Sequence, residues 1–242
     1  MYTAAAGMAA QQTRLDGVAN DLANINTTGY KHVRVAFRDL VYDDATGYGS
    51  AKGVQLGAGS VATPIGRSLQ QGAMQSTGRS LDVALAGQGY LQVKLPDGRV
   101  ALTRDGNLTV DKTGNLMTHT GHYLEPPVTI PAGTDQERVT IGADGTVSAG
   151  NRKVGQLKIV DVPAPGALDG GPDNTFIPSK GSGAVRAAAK STVLQSGVLE
   201  GSEVDASTAM TDMIEAQRAY SMASKAIQTQ DQILEIANQV KR

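Results

Sequence analysis

The chain has 242 residues, 40% of them hydrophobic, so it can bury a core and is long enough for more than one folded unit. Its 22 basic and 23 acidic residues give a formal charge of −1, which provides no basic surface for nucleic acid or for an anionic membrane. The lack of cysteine excludes disulfides, thiolate metal sites and a cysteine nucleophile.

Membrane and secretion signals are not predicted. The sequence has no run of about 18 apolar residues of the kind that spans a bilayer. Its first residues lack a basic segment followed by an apolar one, and the first charged residue is Arg14. We therefore expect no cleaved secretory signal, and any export must follow another route.

The first predicted element is a helix from about Thr3 to Asn24, marked by apolar residues spaced alternately three and four apart. Only Gln11 interrupts this stripe, which comprises Met1, Ala4, Met8, Leu15, Val18, Leu22 and Ile25. The asparagines and glycine of residues 24–29 predict the helix end. Asn20 and Asn24 either fix the register of a helical interface or form a solvated face and a helix stop, and their spacing leaves both interpretations open.

The middle of the chain is predicted to be rich in short strands. Alternation at Val33, Val35 and Phe37 predicts a half-buried strand within 30–42, and the glycine-rich segment 45–59 predicts an extended loop or hairpin. Further short strands are predicted at 81–85, 91–95, 100–103, 108–110, 139–141 and 156–162.

Glycine-containing turns separate these strands. Gly98, Gly106 and Gly114 recur every eight residues and, with Gly145, are predicted to adopt the positive φ that hairpins require. A β-meander or small barrel is the expected arrangement. Segment 163–183 is predicted to be an irregular surface loop anchored by Phe176 and Ile177.

A second helix of about 35 residues is predicted to begin near 202–207, where serine and aspartate offer N-caps. Its main stripe keeps the same spacing through Ala206, Ala209, Met213, Ala216, Tyr220, Ala223, Ile227, Gln230, Leu234, Ala237 and Lys241. A second apolar edge is formed by Ile214, Ala226, Ile233, Ile236 and Val240. The combined stripe is wider than a two-helix seam needs and predicts contacts among several subunits.

The predicted fold class is therefore α+β, with the N- and C-terminal helices paired as a coiled coil and with a β-rich middle domain that forms a meander or small barrel. We expect four parts. These are an N-terminal coiled-coil helix (1–29), an extended or hairpin connecting region (30–71), a β-rich middle domain (72–192), and a return segment with the C-terminal coiled-coil helix (193–242).

Catalytic and cofactor motifs are weak. His32, His119 and His122 form no triad, and we expect the last two to be exposed turn histidines instead of a metal pair. The segment 87–89 lacks the rest of a phosphate loop and is predicted to be a hairpin turn. Asp105 and Asp111 are predicted to serve turns and not to bind calcium. We expect no enzyme activity, cofactor, metal, nucleic acid or small-molecule substrate.

Two long motifs carry a family resemblance. Residues 4–31 resemble the N-terminal signature of the flagellar rod and hook proteins of bacteria, and residues 213–234 resemble their C-terminal signature. In the middle, 53–57, 80–90, 95–98, 103–106 and 139–147 are similar to distal rod proteins of this family. The start and the segment after Tyr42 are shorter than is usual among them.

The resemblance implies a non-enzymatic subunit of the flagellar basal-body rod, a tubular drive shaft and export channel that transmits torque from motor to hook. Its implied partners are further copies of itself, other rod proteins, the hook protein, surrounding ring proteins and the flagellar type III export apparatus. The implied location is the rod, crossing the periplasm and cell wall. The expected assembly interface comprises Met8, Leu15, Val18, Asn20, Leu22, Asn24, Ile25, Met213, Tyr220, Ile227, Ile233, Leu234 and Ile236.

Two alternatives remain at this stage. A proximal rod protein of the same family has a similar length, although the run 224–232 favours the distal rod. A cell-wall-binding or peptidoglycan-acting β-domain protein is the alternative from another class, because a rod must cross the cell wall. No pair of carboxylates or nucleophile with a base supports it.

Overall fold

A computed structural model of the chain describes residues 2–40, 43–44, 55–57, 59–131, 133–135, 138–189 and 191–240. Two compact units are present. The helical unit consists of Met1–Ala23, Val33–Ile65 and Asp205–Arg242, and the β unit consists of Asn24–His32 and Gly66–Val204. Each unit is therefore built from segments that are distant in sequence.

The helical unit contains the two predicted helices, α1 (Tyr2–Ala23) and α2 (Ala206–Val240). Neither described helix has an apolar stretch long enough to cross a membrane. At 1.5 Å per residue, α1 with 22 residues is about 33 Å long and α2 with 35 residues is about 52 Å long. Met1 and Lys241, at the ends of the predicted stripes, lie outside the described residues.

Short strands accompany α1 and α2 in the helical unit. The predicted strand within 30–42 is β1 (Val33–Asp39), which pairs with β4 (Ser60–Arg67). β2 (Asp43–Asp44) pairs antiparallel with β3 (Gln55–Leu56). Most of the predicted loop or hairpin at 45–59 lies outside the described residues.

The β unit confirms the predicted β-rich middle. Its strands are β5 (Met74–Ser76), β6 (Val83–Ala86), β7 (Tyr90–Lys94), β8 (Val100–Thr103), β9 (Leu108–Val110), β10 (Leu116–Thr118), β11 (Tyr123–Leu124), β12 (Val139–Ile141), β13 (Thr146–Ala149), β14 (Arg152–Gln156), β15 (Ile159–Asp161), β16 (Asp169–Gly170), β17 (Thr175–Ile177), β18 (Arg186–Ala187), β19 (Val193–Ser196) and β20 (Val198–Glu200).

The largest sheet follows the order β16-β17-β8-β7-β11-β10-β9, and β15 pairs with both β7 and β18. Smaller sheets are β12-β13-β14, β19-β6 and β20-β5. Strands β9, β10 and β11 form a meander, whereas β7 lies between β8 and β11. A simple up-and-down order is therefore kept only in part of the sheet.

Aliphatic side chains fill the main core of the β unit, among them Leu91, Val93, Leu108, Leu116 and Val147. A second buried cluster surrounds Phe176, whose ring meets Tyr90 edge to face at 5.5 Å between centroids. The predicted anchoring of segment 163–183 by Phe176 is confirmed, but the prediction that the segment is irregular is wrong because it contains β16 and β17. Within the segment Thr175–Ile177, Thr175 and Phe176 pair with β8, and the buried ring of Phe176 completes that core.

Gly98, Gly114 and Gly145 have the predicted positive φ in hairpins, with values of 84°, 87° and 82°. The prediction is wrong for Gly106, which lies between strands that do not pair with each other. A Cβ at this position would stand 1.6 Å from the Val83 carbonyl oxygen, so close backbone approach requires the glycine. The turn predicted at 87–89 likewise joins strands of different sheets.

Truncation in the main core should destabilise the β unit. We expect Leu108→Ala to lower the free energy of unfolding by about 2 to 5 kcal/mol, because this side chain is fully buried. The matched control is Val100→Ala, since Val100 is 37% exposed, and its loss should be clearly smaller. Urea unfolding followed by circular dichroism measures both. Equal losses would contradict the assigned core.

Candidate functional site

The predicted stripe of α1 is its less exposed face. Met8, Leu15, Val18 and Leu22 are all half-buried, whereas Asn20 is exposed. In the helical unit this apolar face is therefore partly covered in a single chain.

Two predicted interface residues, Asn24 and Ile25, follow the end of α1 and belong to the β unit. The side-chain oxygen of Asn24 accepts a hydrogen bond from Thr27 Oγ1 at 3.1 Å, and its carbonyl accepts one from Thr27 N at 3.0 Å. These local bonds favour the helix-stop interpretation for Asn24.

The stripe of α2 is covered over only part of its length. Ala209 and Ala216 are buried, and Met213 and Ile227 are half-buried. Tyr220 is 37% exposed. Every described side chain from 228 to 239 is exposed.

Within the helical unit α1 and α2 contact each other. Arg14 of α1 places its guanidinium 3.0 Å from the Asp212 carboxylate and 2.9 Å from that of Glu215. Because these pairs are substantially exposed, each adds little to stability. The buried alanines of α2 allow close approach, so packing holds the contact more than charge does.

A large apolar surface of α2 remains uncovered. The second predicted edge contributes Ile214, Ile233 and Ile236 to this surface. Met210, Met222 and Leu234 also belong to it. An exposed apolar area of this extent is typical of a protein–protein contact surface.

The sequence did not predict the most constrained site of the β unit, a buried ionic cluster around Glu200. One carboxylate oxygen, Oε1, accepts hydrogen bonds from Lys31 Nζ at 2.6 Å and from Gly72 N at 3.0 Å. The other, Oε2, accepts one from Arg104 Nη1 at 3.0 Å. The three charged side chains are each at most 7% exposed. We call Lys31, Arg104 and Glu200 the Glu200 cluster.

Backbone contacts surround the Glu200 cluster. Gly29 N donates to the Glu200 carbonyl at 2.8 Å, and Glu203 N donates to the Tyr30 carbonyl at 3.2 Å. The Lys31 ammonium also donates to the Gln70 carbonyl. The segment that leaves α1 and the segment that enters α2 therefore lie side by side in the β unit.

A second buried carboxylate reinforces this arrangement. Glu203 accepts a hydrogen bond from Ser68 Oγ, and His32 Nδ1 lies 3.4 Å from Glu203 Oε1. Two acidic residues spaced three apart before α2 thus bind the consecutive basic residues Lys31 and His32.

Gly29 makes the close packing at the cluster possible. Its φ is +65°, and a Cβ there would lie 2.7 Å from the carbonyl group of Arg104. The sequence contained a signal for the glycine as a helix stop, but none for its approach to residue 104, which is distant in the chain. The only local hint of the cluster was Glu200 itself, a charged residue directly after Val198 and Leu199.

The histidines differ partly from expectation. His119 is exposed as predicted and lies 2.9 Å from Asp105. The prediction of an exposed turn residue is wrong for His122. This side chain is buried, and its Nε2 lies 3.1 Å from a carboxylate oxygen of Asp173. Among the described residues, no group of three acidic or histidine side chains could hold a metal ion.

One pocket in the described part of the β unit has a volume of about 710 Å³ and includes Leu157, Ile159 and Val193 in its mostly apolar lining. Its one carboxylate, Asp144, accepts hydrogen bonds from the Thr146 side chain and backbone, and these bonds lower the pKa of Asp144. The group is thus held in its charged form and is not poised as a general acid.

α2 begins at a charged cap. Asp205 Oδ1 accepts a hydrogen bond from Thr208 N at 2.8 Å, and this bond holds the pKa of the Asp205 carboxyl below its ordinary value. The predicted start near 202–207 is confirmed, with aspartate as the capping residue.

Comparison with known proteins identifies three matching family models. The model described as "Flagella basal body rod protein" matches residues 1–31, "Flagellar hook protein FlgE/F/G D1 domain" matches 84–149, and "Flagellar basal body rod FlgEFG protein C-terminal" matches 195–240. The Glu200 cluster draws one residue from each of these matched stretches.

Full-length relatives agree with the family models. The chain is 38% identical over 260 residues to the flagellar basal-body rod protein FlgG of Borreliella burgdorferi, covering 100% of this chain and 98% of the relative. It is 38% identical over 262 residues to FlgG of Bacillus subtilis, with the same coverage. Flagellar basal-body rod protein FlgF of Salmonella typhimurium is 36% identical over 258 residues, covering 99% and 97%.

Removing the central carboxylate should destabilise the β unit strongly. We expect Glu200→Ala to lower the free energy of unfolding by about 3 to 5 kcal/mol, because it leaves Lys31 and Arg104 buried without their partner. Glu215→Ala is the matched control, since that carboxylate is exposed. Urea unfolding measures both variants, and a loss below about 1 kcal/mol for Glu200→Ala would contradict the assigned role.

The start of α2 should respond to acid. Because the folded-state pKa of Asp205 is lowered, its charged cap stabilises α2 above the ordinary aspartate pKa, and this stabilisation is lost as pH falls through the lowered value. Asp205→Asn keeps an acceptor that does not titrate. Circular dichroism between about pH 4 and pH 2 should show a smaller loss of helix in this variant than in the parent.

The control for this acid titration is Asp231→Asn, which replaces a carboxylate within α2 and should retain the parental acid response. Identical titrations for Asp205→Asn and the parent would show that the cap does not govern the acid response.

Proposed function

The chain belongs to the flagellar basal-body rod protein family as a FlgG-like structural subunit of the rod, and we propose that it occupies the distal rod. Full-length similarity to FlgG proteins supports this position, as does the run 224–232. Membership of this family places the protein in the flagellar basal body.

The observation that carries the assembly proposal is the uncovered apolar face of α2. α2 is longer than α1, and its described side chains beyond residue 227 are exposed although several are large and apolar. Neighbouring copies that cover this face would bury Ile233, Leu234 and Ile236. A contact between different surfaces of successive copies generates an open helical polymer, which is the form a rod requires.

We propose that α1 and α2 pair as a coiled coil and form the inner tube of this polymer. The alternating three- and four-residue spacing and the buried alanines of α2 support the pairing. The proposed interface comprises the thirteen residues named above, of which Asn24 and Ile25 follow the end of α1, and the proposed division of the chain has the four parts given above. The tube would serve as drive shaft and export channel.

The proposed partners are further copies of the chain, other rod proteins, the hook protein, surrounding ring proteins and the flagellar export apparatus. The proposed location is the part of the rod that crosses the periplasm and cell wall, reached without a cleaved signal peptide. We propose no enzyme activity, and structural rod relatives support this role.

A proximal rod position is the second candidate, favoured by the full-length similarity to FlgF. The two positions are distinguished by gold labelling of Asp97→Cys, the introduced thiol being unique in a cysteine-free chain. Electron microscopy of hook–basal bodies should show the label at the hook-proximal end of the rod. A label confined to the opposite end would assign the protein to the proximal rod.

A charge on the uncovered face should abolish assembly. We expect Leu234→Asp, and likewise Tyr220→Asp, to prevent rod formation because a charge buried between subunits cannot be solvated. Gln232→Asp, at an exposed polar position of the same helix, is the control. Electron microscopy of basal bodies measures the outcome, and normal rods in the Leu234→Asp strain would contradict the proposed interface.

A milder change separates folding from assembly. Because Leu234 is 53% exposed in the single chain, Leu234→Ala should change the unfolding of the free subunit by less than about 0.5 kcal/mol. If assembly buries the side chain fully, the same change should weaken subunit association by about 2 to 5 kcal/mol. A large loss already present in the free subunit would place Leu234 in an internal core instead.

A further inference from the structure

The Glu200 cluster joins the two segments of the β unit that lead to the helices. Lys31 follows α1 closely in sequence, and Glu200 precedes α2 closely. Between them lie Val33–Ile65 of the helical unit and most of the β unit, so α1 and α2 are far apart along the chain. The buried salt bridge between Lys31 Nζ and Glu200 Oε1, 2.6 Å long, joins the two ends of this long segment.

We propose that the Glu200 cluster is an ionic cross-link that keeps the ends of α1 and α2 close, with Lys31 as the residue that positions the α1 end. It rests on the proposed function in one respect, namely that pairing of α1 with α2 is what assembly uses. The cross-link lowers the entropic cost of pairing because it shortens the chain segment that joins the two helices and so raises their effective concentration.

The chemistry of the chain favours an ionic link for this purpose. The sequence contains no cysteine, so a disulfide cannot join these segments. A single carboxylate with two oxygens instead binds Lys31 and Gly72 through one oxygen and Arg104 through the other. Glu200 thereby holds the segment that follows α1 and the segment that precedes α2 at the same point of the β unit.

The charge balance of the cluster allows Lys31 to be replaced without leaving Glu200 unpaired. The cluster carries two cations and one anion, so replacing Lys31 leaves Glu200 paired with Arg104. Arg104 also donates to the Gly87 carbonyl at 2.9 Å and stacks over Tyr90 at 5.4 Å, contacts that do not involve Lys31. Lys31→Met should therefore weaken the hold on the α1 end without stranding a buried carboxylate, with the backbone hydrogen bonds of Gly29 and Tyr30 left in place.

The test measures how often the helices meet in the free subunit. Arg14→Cys and Asp212→Cys place the only two thiols of the chain at positions whose native side chains are 3.0 Å apart. The rate of intramolecular joining by a short bifunctional maleimide reports their effective concentration. Doubling the length of a flexible tether lowers the effective concentration of its ends about threefold. We expect Lys31→Met to lower the joining rate by a similar factor.

Two control variants accompany the measurement. Lys31→Arg keeps the charge and should restore the parental rate. Arg99→Met removes an exposed cation that is 60% accessible in its pair with Asp97, and should leave the rate unchanged. Circular dichroism and urea unfolding establish that the β unit is folded in each variant.

An unchanged joining rate in folded Lys31→Met would overturn the proposal. If that variant does not fold, a flexible Gly-Ser insert of about twelve residues between Val204 and Asp205 replaces it, since it leaves every member of the cluster in place. The same insert in the exposed turn at Asp97 is its control. The first insert should lower the rate about threefold, and equal rates for the two inserts would also overturn the proposal.

The outcomes for assembly and for the cross-link are separable. The joining rate is measured in free subunits and does not require rods. Failure of the parental protein to enter the rod would refute the proposed function alone, whereas an unchanged rate in the variants would refute the cross-link alone.

Discussion

One buried carboxylate, that of Glu200, joins distant parts of the β unit. Glu200 has two oxygens and binds three partners from three parts of the chain, and its own carbonyl binds a fourth. A buried charge is costly unless it is paired and hydrogen-bonded, so the segments that carry its partners must occupy fixed positions. The close approach of Gly29 and the second carboxylate at Glu203 depend on the same arrangement.

The constraint bears directly on the helices. Both α1 and α2 have apolar faces, and an isolated amphipathic helix is marginally stable in water. The structure covers the stripe of α1 and the first part of the stripe of α2, while the remainder of α2 stays exposed. A folded β unit that brings together the segments leading to both helices, and a helical unit with apolar surface left for neighbours, together suit a subunit that completes its packing only in a polymer.

Local sequence signals predicted the local structure well. The three- and four-residue spacing located both helices, aspartate and serine located the start of α2, and Asp-Gly turns located the hairpins at Gly98 and Gly145. The uncovered edge at Ile214 and Ile233 was also visible as a surplus of apolar residues. These features depend on neighbours within a few positions, which is why a single sequence contains them.

Features that depend on distant residues were not predictable in the same way. Lys31, Arg104 and Glu200 meet only through the tertiary fold of the β unit, and nothing near any of them in sequence specifies the other two. The same reason explains Gly106, whose partner is the Val83 carbonyl, and Phe176, which is buried through pairing with β8. His122 likewise becomes buried through its contact with Asp173.

The most direct test of the central role of Glu200 is hydrogen exchange at single amides in the free, unmodified subunit. Gly29 N and Gly72 N both donate to Glu200, so they should be protected as strongly as the core amides that join β7 and β8. Exchange of these two amides as fast as that of the exposed turn around Asp97 would contradict the account.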